Sequence, residues 1–387
     1  MRKLLMIPGP IEYESNVLNA MSLPTISHSS KEFISIYREA LLGISHIFGS
    51  SISDSLPFII SGSGTLGMEI STVNFIKKDS KVLVVNTGYF GDRFVDLFSR
   101  FTSNIEQIKP PLGEAVDASL IKERLDTNEF ELMTVTHVDT STGVRNDVKK
   151  IAEVTRGLDT LLVVDGVCSV GAEEFDMRWG IDVAFTASQK ALGAPPGLAV
   201  GVAGSKALAR LREIKPLTFF SDLRKWEAVS RGVLDSKGGY FGTPNVNLIT
   251  ALNVSLSNIM REGIEARIRR HELMASALRA GIEEMGLEII AKKAFANTVS
   301  AVYLPQGIEL KKFLADSENN GVIFASGLIK EIASKYFRIG HMGNITSSEV
   351  MLTIGAIERA LNAGGYPIQA GKGLTAAQEI LFRGNTS

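Results

Sequence analysis

The chain of 387 residues has one cysteine, Cys168, which excludes an intramolecular disulfide and any metal site built from several thiolates. Its five histidines, His28, His46, His137, His271 and His341, form no recognisable ligand spacing, so no metal is expected. Charge of one sign is not in excess: 41 Lys plus Arg stand against 42 Asp plus Glu, which removes any global electrostatic case for nucleic acid or an anionic membrane as a partner. Long apolar runs are missing too. No stretch approaches the roughly 18 apolar residues of a membrane span, and Leu4-Leu5-Met6-Ile7 is stopped by Pro8, too short for a signal peptide. A cytoplasmic protein with small-molecule partners is expected. No internal repeat, low-complexity tract or Pro/Ser-rich linker is visible.

What is present is an alternation. The β-type runs PFIIS, KVLVVNT, LMTVTHV, TLLVVDG, VAFTAS and GLAVGVAG are interleaved with helical segments across roughly residues 56–204. Runs that are apolar on both faces are those covered by helices on both sides, so an α/β domain with a mostly parallel sheet is predicted. From about Ile264 the pattern changes to a long helix, with Leu278, Ile282 and Met285 stepping by four and three before Gly286. Strand-like LEIIA, TVSAVYL and VIFAS, an amphipathic ELKKFLADSENNG and a final helix around Glu349 to Ala363 follow. The expected division is an N-terminal arm (1–15), a large domain (16–260) and a small α+β domain (261–387).

The most informative residue is Lys190, in Ser188-Gln189-Lys190-Ala191-Leu192-Gly193-Ala194-Pro195-Pro196-Gly197. A lysine partly buried among Ala, Gly and Pro has its charged form disfavoured, and an uncharged amine is what a Schiff base with an aldehyde cofactor requires. Asp165 closes the strand-like TLLVVD upstream. A carboxylate beside a pyridine nitrogen keeps that nitrogen protonated, so the pair suits pyridoxal 5'-phosphate (PLP). The bland alternative is a solvated lysine and a strand-end turn aspartate.

Ser61-Gly62-Ser63-Gly64-Thr65-Leu66-Gly67 follows a strand and opens a helix, where backbone N–H groups and the helix dipole hold a phosphate. Its glycines also fit the dinucleotide pattern GxGxxG, so a non-catalytic NAD-binding module is a rival. The acidic residue that such a site places after the next strand is missing, because KVLVVN ends in Asn86. Thr87-Gly88-Tyr89-Phe90-Gly91 and His137-Val138-Asp139-Thr140-Ser141-Thr142-Gly143 end two further strands, offering an aromatic face and hydroxyls. Ligands of open α/β sheets bind at carboxyl ends of strands, which is the reason to read these segments together. Arg338, in an apolar strand-like segment, suits a bidentate carboxylate or, equally, an internal salt bridge. Cys168 reads as a small core residue.

On these segments, together with Pro8-Gly9-Pro10, VVDGVCSVG, Tyr240-Phe241-Gly242-Thr243-Pro244 and FRIGHMG, nearly the whole chain resembles the PLP enzymes of fold type I, aminotransferase class V, and within them the alanine:glyoxylate and serine:pyruvate aminotransferases. The resemblance implies a ping-pong transaminase with serine or alanine as donor and glyoxylate or pyruvate as acceptor. It implies Lys190 as the Schiff-base and proton-transfer residue and Asp165 at the pyridine nitrogen. Phe90 and Val167 would sandwich the ring, Thr140 would meet its hydroxyl, and Ser63, Gly64, Thr65 and Gln189 would hold the phosphate. Tyr240 and Thr243 would reach the phosphate of a second copy, so a homodimer with shared sites is implied. Gly9 would lie near the substrate and Arg338 would clamp its carboxylate. Asp139 stands where Glu is common and Ser29 where Arg is frequent, so a changed substrate entrance is expected. A 2-aminoethylphosphonate or phosphoserine transaminase is the nearest alternative; a cysteine desulfurase would need a cysteine in the small domain, and none is there.

Overall fold

The computed structural model describes residues 3–216 and 218–384. Its centre is a seven-stranded sheet made of β1 (Leu56–Ser61), β2 (Val82–Val85), β3 (Ile105–Ile108), β4 (Leu132–Thr136), β5 (Leu161–Asp165), β6 (Val183–Ala187) and β7 (Leu198–Ala203). The spatial order is β1-β7-β6-β5-β4-β2-β3. All neighbours are parallel except β7, which runs antiparallel to both β1 and β6. The double-sided apolar reading holds: Leu161, Leu162, Val163 and Val164 are all fully buried, as a strand with helices on both faces must be. Three parallel strands end at one edge in segments predicted to carry polar groups, β2 before Asn86, β4 before His137 and β5 in Asp165 itself.

Residues beyond 264 build a second hydrophobic cluster around β8 (Val299–Tyr303), β9 (Ala325–Ser326) and β10 (Tyr336–Gly340), which form an antiparallel sheet in the order β8-β10-β9. The helix Ile264–Glu284 ends as expected, with Gly286 at φ +75° donating its N–H to Glu283 O. The helix Ser347–Ala363 starts two residues before Glu349, because Thr346 and Glu349 close a reciprocal capping box.

Three local expectations are corrected. LEIIA forms no strand: Ile290 donates to Ala301 O, but Lys292 N–H is taken by Gly113 O, and the chain leaves the sheet edge. VIFAS is split between partners, Val322–Ile323 pairing in parallel with Leu4–Leu5 and Ala325–Ser326 pairing with β10. Phe324 between them turns into the cluster with Phe313 and Phe337, which breaks the run. A further helix, Lys372–Gly384, follows the one read as final. It lies so close to Ile264–Glu284 that a Cβ on Gly281 would come within 3.0 Å of Gly373 O, an approach that two glycines permit.

Among the described residues no helix is long and apolar enough to cross a membrane, and no group of three His, Cys, Asp or Glu could hold a metal. Two of the histidines are tied into the fold by hydrogen bonds on both ring nitrogens. His341 Nδ1 faces Asn297 O and Nε2 faces Ser300 Oγ; His271 Nδ1 faces Arg267 O while Nε2 accepts from Gly343 N–H. Both patterns need the neutral ring protonated on Nδ1. Burial pushes His137 and His341 down to about 3 and His271 well below its usual value.

Each such ring is neutral when folded but protonates near 6.5 when unfolded. Stability is therefore present above pH 6.5 and is lost, by about 1.4 kcal/mol per pH unit and per ring, as pH falls from there toward 3. Buried carboxyls with raised pKa, Asp165 among them, act in the opposite direction, so the rings are best followed one by one. Imidazole nitrogen NMR of the folded protein at pH 5 should show at least three of the five rings neutral. Three or more protonated rings at that pH would contradict the neutrality that burial imposes on His137, His271 and His341.

Candidate active site

A cavity of about 200 Å³ opens at the carboxyl edge of β5 and is lined by Gly9, Ser63, Gly64, Thr65, Phe90, Thr140, Asp165, Val167, Gln189 and Lys190. Met68, Arg93, Val138 and Cys168 complete its wall. Ten residues spread over the first 190 positions are thus brought to one place, all of them expected from the sequence.

Lys190 follows β6 on a tight turn in which its own N–H bonds Ala187 O and its carbonyl receives Gly193 N–H. Its amine donates to Pro8 O, and a Cβ on Gly9 would stand 2.7 to 2.8 Å from the Lys190 side chain. Gly9 also has φ +112°, so glycine is required there on both counts. The N-terminal arm is held in this position by Met6, whose N–H bonds Ile323 O and whose carbonyl accepts from Gly340 N–H. Burial pushes the Lys190 amine below its ordinary pKa, and the neighbouring Arg338 charge works in the same direction.

Asp165 is 3% exposed and accepts Val167 N–H on Oδ1 at 2.9 Å. Burial raises its carboxyl to about 7; the Val167 hydrogen bond and the Lys190 and Arg93 charges limit that rise. A cationic N–H beside it is what would restore full ionisation. The helix Gly64–Val73 begins at Ser63, whose side chain makes no cap bond, so its first amides face the cavity without a side-chain partner. The Gln189 amide oxygen is buried with no partner. A half-turn of that amide exchanges O for N–H, giving a donor for an anion.

Arg338, on β10, sits beside the cavity, bonding Ser326 O through Nε at 2.8 Å and Thr140 O through a terminal nitrogen at 3.3 Å. It is 9% exposed, and among the described residues it makes no ion pair with a carboxylate. The internal salt bridge that was the alternative for this residue is not there. Tyr240 and Thr243 do not reach this cavity; they are exposed, Tyr240 by 67%, with their hydroxyls 3.4 Å apart.

Asp139 is placed differently from expectation. It is fully buried and touches no entrance: its carboxylate accepts Phe90 N–H at 3.0 Å, and Ser141 N–H and Oγ–H at 2.9 and 2.6 Å. It orients the aromatic rather than shaping access, a role that sequence could not show because its partners on the Tyr89–Phe98 helix lie 49 residues away. Ser29 is exposed next to Ser27, and His28 lies 5.5 Å from the Tyr240 ring. Cys168 is buried as expected and also lines the cavity, its thiol pushed up to about 12 by burial, which leaves it protonated and unreactive.

Two supporting residues were missed. Arg267, 3% exposed, donates to Gly171 O and Ala191 O and so braces the lysine turn from behind. Glu173, equally buried, joins Arg145 to the Asn297 backbone and side chain across the two hydrophobic clusters. Neither stands in a local pattern that a sequence could display. Asn86, which closes the strand where a dinucleotide site would carry an acidic residue, is structural: its amide nitrogen donates to Asp92 and Gln107 and its oxygen accepts Gly88 N–H.

Residues 11–328 match the family model described as aminotransferase class V. The chain is 39% identical over 355 residues to alanine–glyoxylate aminotransferase 1 of Saccharomyces cerevisiae, covering 88% of this chain and 91% of that one. It is 34% identical over 388 residues to L-aspartate–glyoxylate aminotransferase of Paracoccus denitrificans, covering 97% and 95%. Among solved structures, the pyridoxamine-pyruvate aminotransferase of Mesorhizobium loti superposes with a TM-score of 0.93 at 28% identity, covering 99% of this chain and 98% of that one.

Proposed function

The chain belongs to aminotransferase class V, and from that premise we propose that it holds PLP in the cavity around Lys190 and moves the amino group of serine or alanine to glyoxylate or pyruvate. One observation carries the reading: a single cavity places an amine of lowered pKa, a buried carboxylate and a helix N-terminus without a side-chain cap together, beside a buried guanidinium that has no carboxylate partner among the described residues.

The residues fit the cofactor without rearrangement of their roles. Asp165 would meet the ring nitrogen, Phe90 and Val167 the two faces, Thr140 the ring hydroxyl, and Ser63, Gly64, Thr65 and Gln189 the phosphate. A Cβ on Gly64 would approach Val167 to 3.1 Å, so the absence of a side chain there keeps the cradle open. When bound, PLP supplies the carbonyl that captures the substrate amine and the electron sink for the carbanion left by loss of its α-proton.

The chain's own groups do the rest. The Lys190 amine, with its charged form disfavoured by burial, can take the α-proton of the donor and return a proton to the acceptor. Pro8 O holds that amine by a hydrogen bond, which restricts where it can deliver the proton. Asp139 fixes the backbone of Phe90, keeping its ring on the cavity wall. Arg338 would grip the α-carboxylate common to donor and acceptor, as a ping-pong cycle that uses one site twice requires.

A homodimer follows from the same reading. Tyr240 and Thr243 would serve the phosphate of a second copy, and the exposed Phe219 and Phe220, both packed on Phe241, form an apolar patch of the kind a partner covers. The donor and acceptor classes are tested directly by incubating the PLP-loaded protein with single amino acids and either glyoxylate or pyruvate, then quantifying the new amino acid. Alanine or serine with glyoxylate should give glycine at the highest kcat/KM. Of the cavity wall's cations, Lys190 serves the chemistry and Arg93 lies 3.2 Å from Thr65 Oγ, beside the groups proposed for the phosphate, so neither is offered to a second substrate carboxylate and aspartate should be the poorer donor. Turnover with aspartate exceeding that with alanine and serine would overturn the small-donor assignment.

A further inference from the structure

Arg93 stands beside residues 63–65 of the cavity wall. It lies on the helix Tyr89–Phe98, lines the cavity together with Ser63, Gly64 and Thr65, and one of its terminal nitrogens is 3.2 Å from Thr65 Oγ. Its guanidinium centres 5.0 Å from the Phe90 ring and 5.1 Å from the Tyr89 ring, and it bonds the Tyr89 hydroxyl at 3.3 Å. The i, i+3 and i, i+4 spacing of these residues makes the stack a property of the helix itself. Among the described residues Arg93 has no carboxylate within salt-bridge distance, whereas the adjacent Asp92 is paired with Lys109 and Asn86. It is thus a preorganised cation whose fork is aimed at the phosphate cradle and whose charge is not spent.

We propose that Arg93 is a phosphate-binding residue for the cofactor, neutralising the charge that the other cradle groups leave uncompensated. The inference rests on PLP occupying the cavity. A phosphate monoester carries about −1.5 to −2 at neutral pH. Ser63, Gly64, Thr65 and Gln189 contribute only neutral donors, and so would Tyr240 and Thr243 of a second copy. Lys190, the other cation on the wall, is committed elsewhere, since its amine bonds Pro8 O. A planar fork held against two rings loses little freedom on binding and suits two phosphate oxygens at once. Arg93 also ties the phosphate to the ring, since the same guanidinium lies over Phe90.

The experiment is a comparison of cofactor affinity, read by tryptophan fluorescence and visible absorption of the apoprotein titrated with PLP and, separately, with pyridoxal, which lacks the phosphate. Arg93→Gln should raise the Kd for PLP by about 10- to 100-fold, the range of a lost charge-assisted hydrogen bond. Its Kd for pyridoxal should stay within about 3-fold of the wild type, because a surface cation–π contact contributes little. Arg93→Lys, which retains the charge and should fold even where the glutamine variant does not, should recover part of the PLP affinity. Inorganic phosphate should compete with PLP at the wild-type apoprotein and compete less well at Arg93→Gln. Equal weakening toward PLP and pyridoxal would overturn the proposal in favour of a ring-positioning role, and so would unchanged PLP affinity. Failure of the wild type to bind PLP at all would instead overturn the cofactor reading on which the proposal stands.

Discussion

Lys190→Ala protein should lose transamination by roughly 10⁴-fold or more, because both the nucleophilic amine and the proton carrier are removed in one substitution. Lys190 is the only lysine among the described residues of the cavity wall, and its amine is positioned by Pro8 O with Gly9 packed against its stem. No neighbouring lysine can therefore take over. The groups proposed for the ring and phosphate are untouched, so the variant should still bind PLP without covalent attachment. Borohydride reduction of the PLP-loaded wild type followed by peptide mapping should put the pyridoxyl label on Lys190; a label on any other lysine would sink the assignment. The same variant tests the shared site. Mixed with Tyr240→Ala/Thr243→Ala protein, it should form hybrids in which one site holds both an intact lysine and an intact phosphate contact, and activity should return. Hybrids that form without regaining activity would mean that each site is built within one chain.

Arg338→Ala should raise the KM for amino donor and oxoacid acceptor together. The loss of a desolvated, bidentate charge-assisted pair costs roughly 2 to 5 kcal/mol, or about 30- to 5000-fold in kcat/KM. Arg338 keeps its fork aimed by bonds to Ser326 O and Thr140 O, with no carboxylate of the described chain to neutralise it. Burial lowers its pKa from the ordinary value, as expected of a cation held ready for an anion that arrives with the substrate. The PLP absorption of the variant should be largely unchanged, since Arg338 meets Thr140 only at its backbone carbonyl and its loss leaves the hydroxyl assigned to the ring in place. Loss of PLP, or an effect confined to one of the two substrates, would show that Arg338 supports the structure or serves a different group.

Much of the site was legible because its members stand at the ends of strands that announce themselves. Gly64, Phe90, Thr140 and Asp165 each follow a buried apolar run by a few residues, and parallel strands deliver their carboxyl ends to one edge whatever their separation in sequence. Arg93 was missed although it lies only three residues after Phe90. Taken alone, an arginine on an amphipathic helix reads as a solvated face, and only its contact with Thr65, 28 residues earlier, gives it a different meaning. Asp139 was visible as a departure from the usual glutamate but was assigned to the entrance; its burial against the Phe90 amide depends on how the helix Tyr89–Phe98 docks, which no local pattern encodes.

The chain by itself determined the strand and helix periodicities, the small-residue turn around Lys190, the phosphate-type helix start at Ser63 and the lack of a second cysteine, since these are local consequences of side-chain volume, backbone freedom and composition. Long-range packing alone decided which distant groups satisfy one another. The N-terminal arm brings Pro8 to the Lys190 amine, 182 positions away, and Arg267 braces the Ala191 carbonyl from 76 positions away. It also decided that Arg338 meets two backbone carbonyls and, among the described residues, no carboxylate, because buried polar groups find partners only where the fold leaves them.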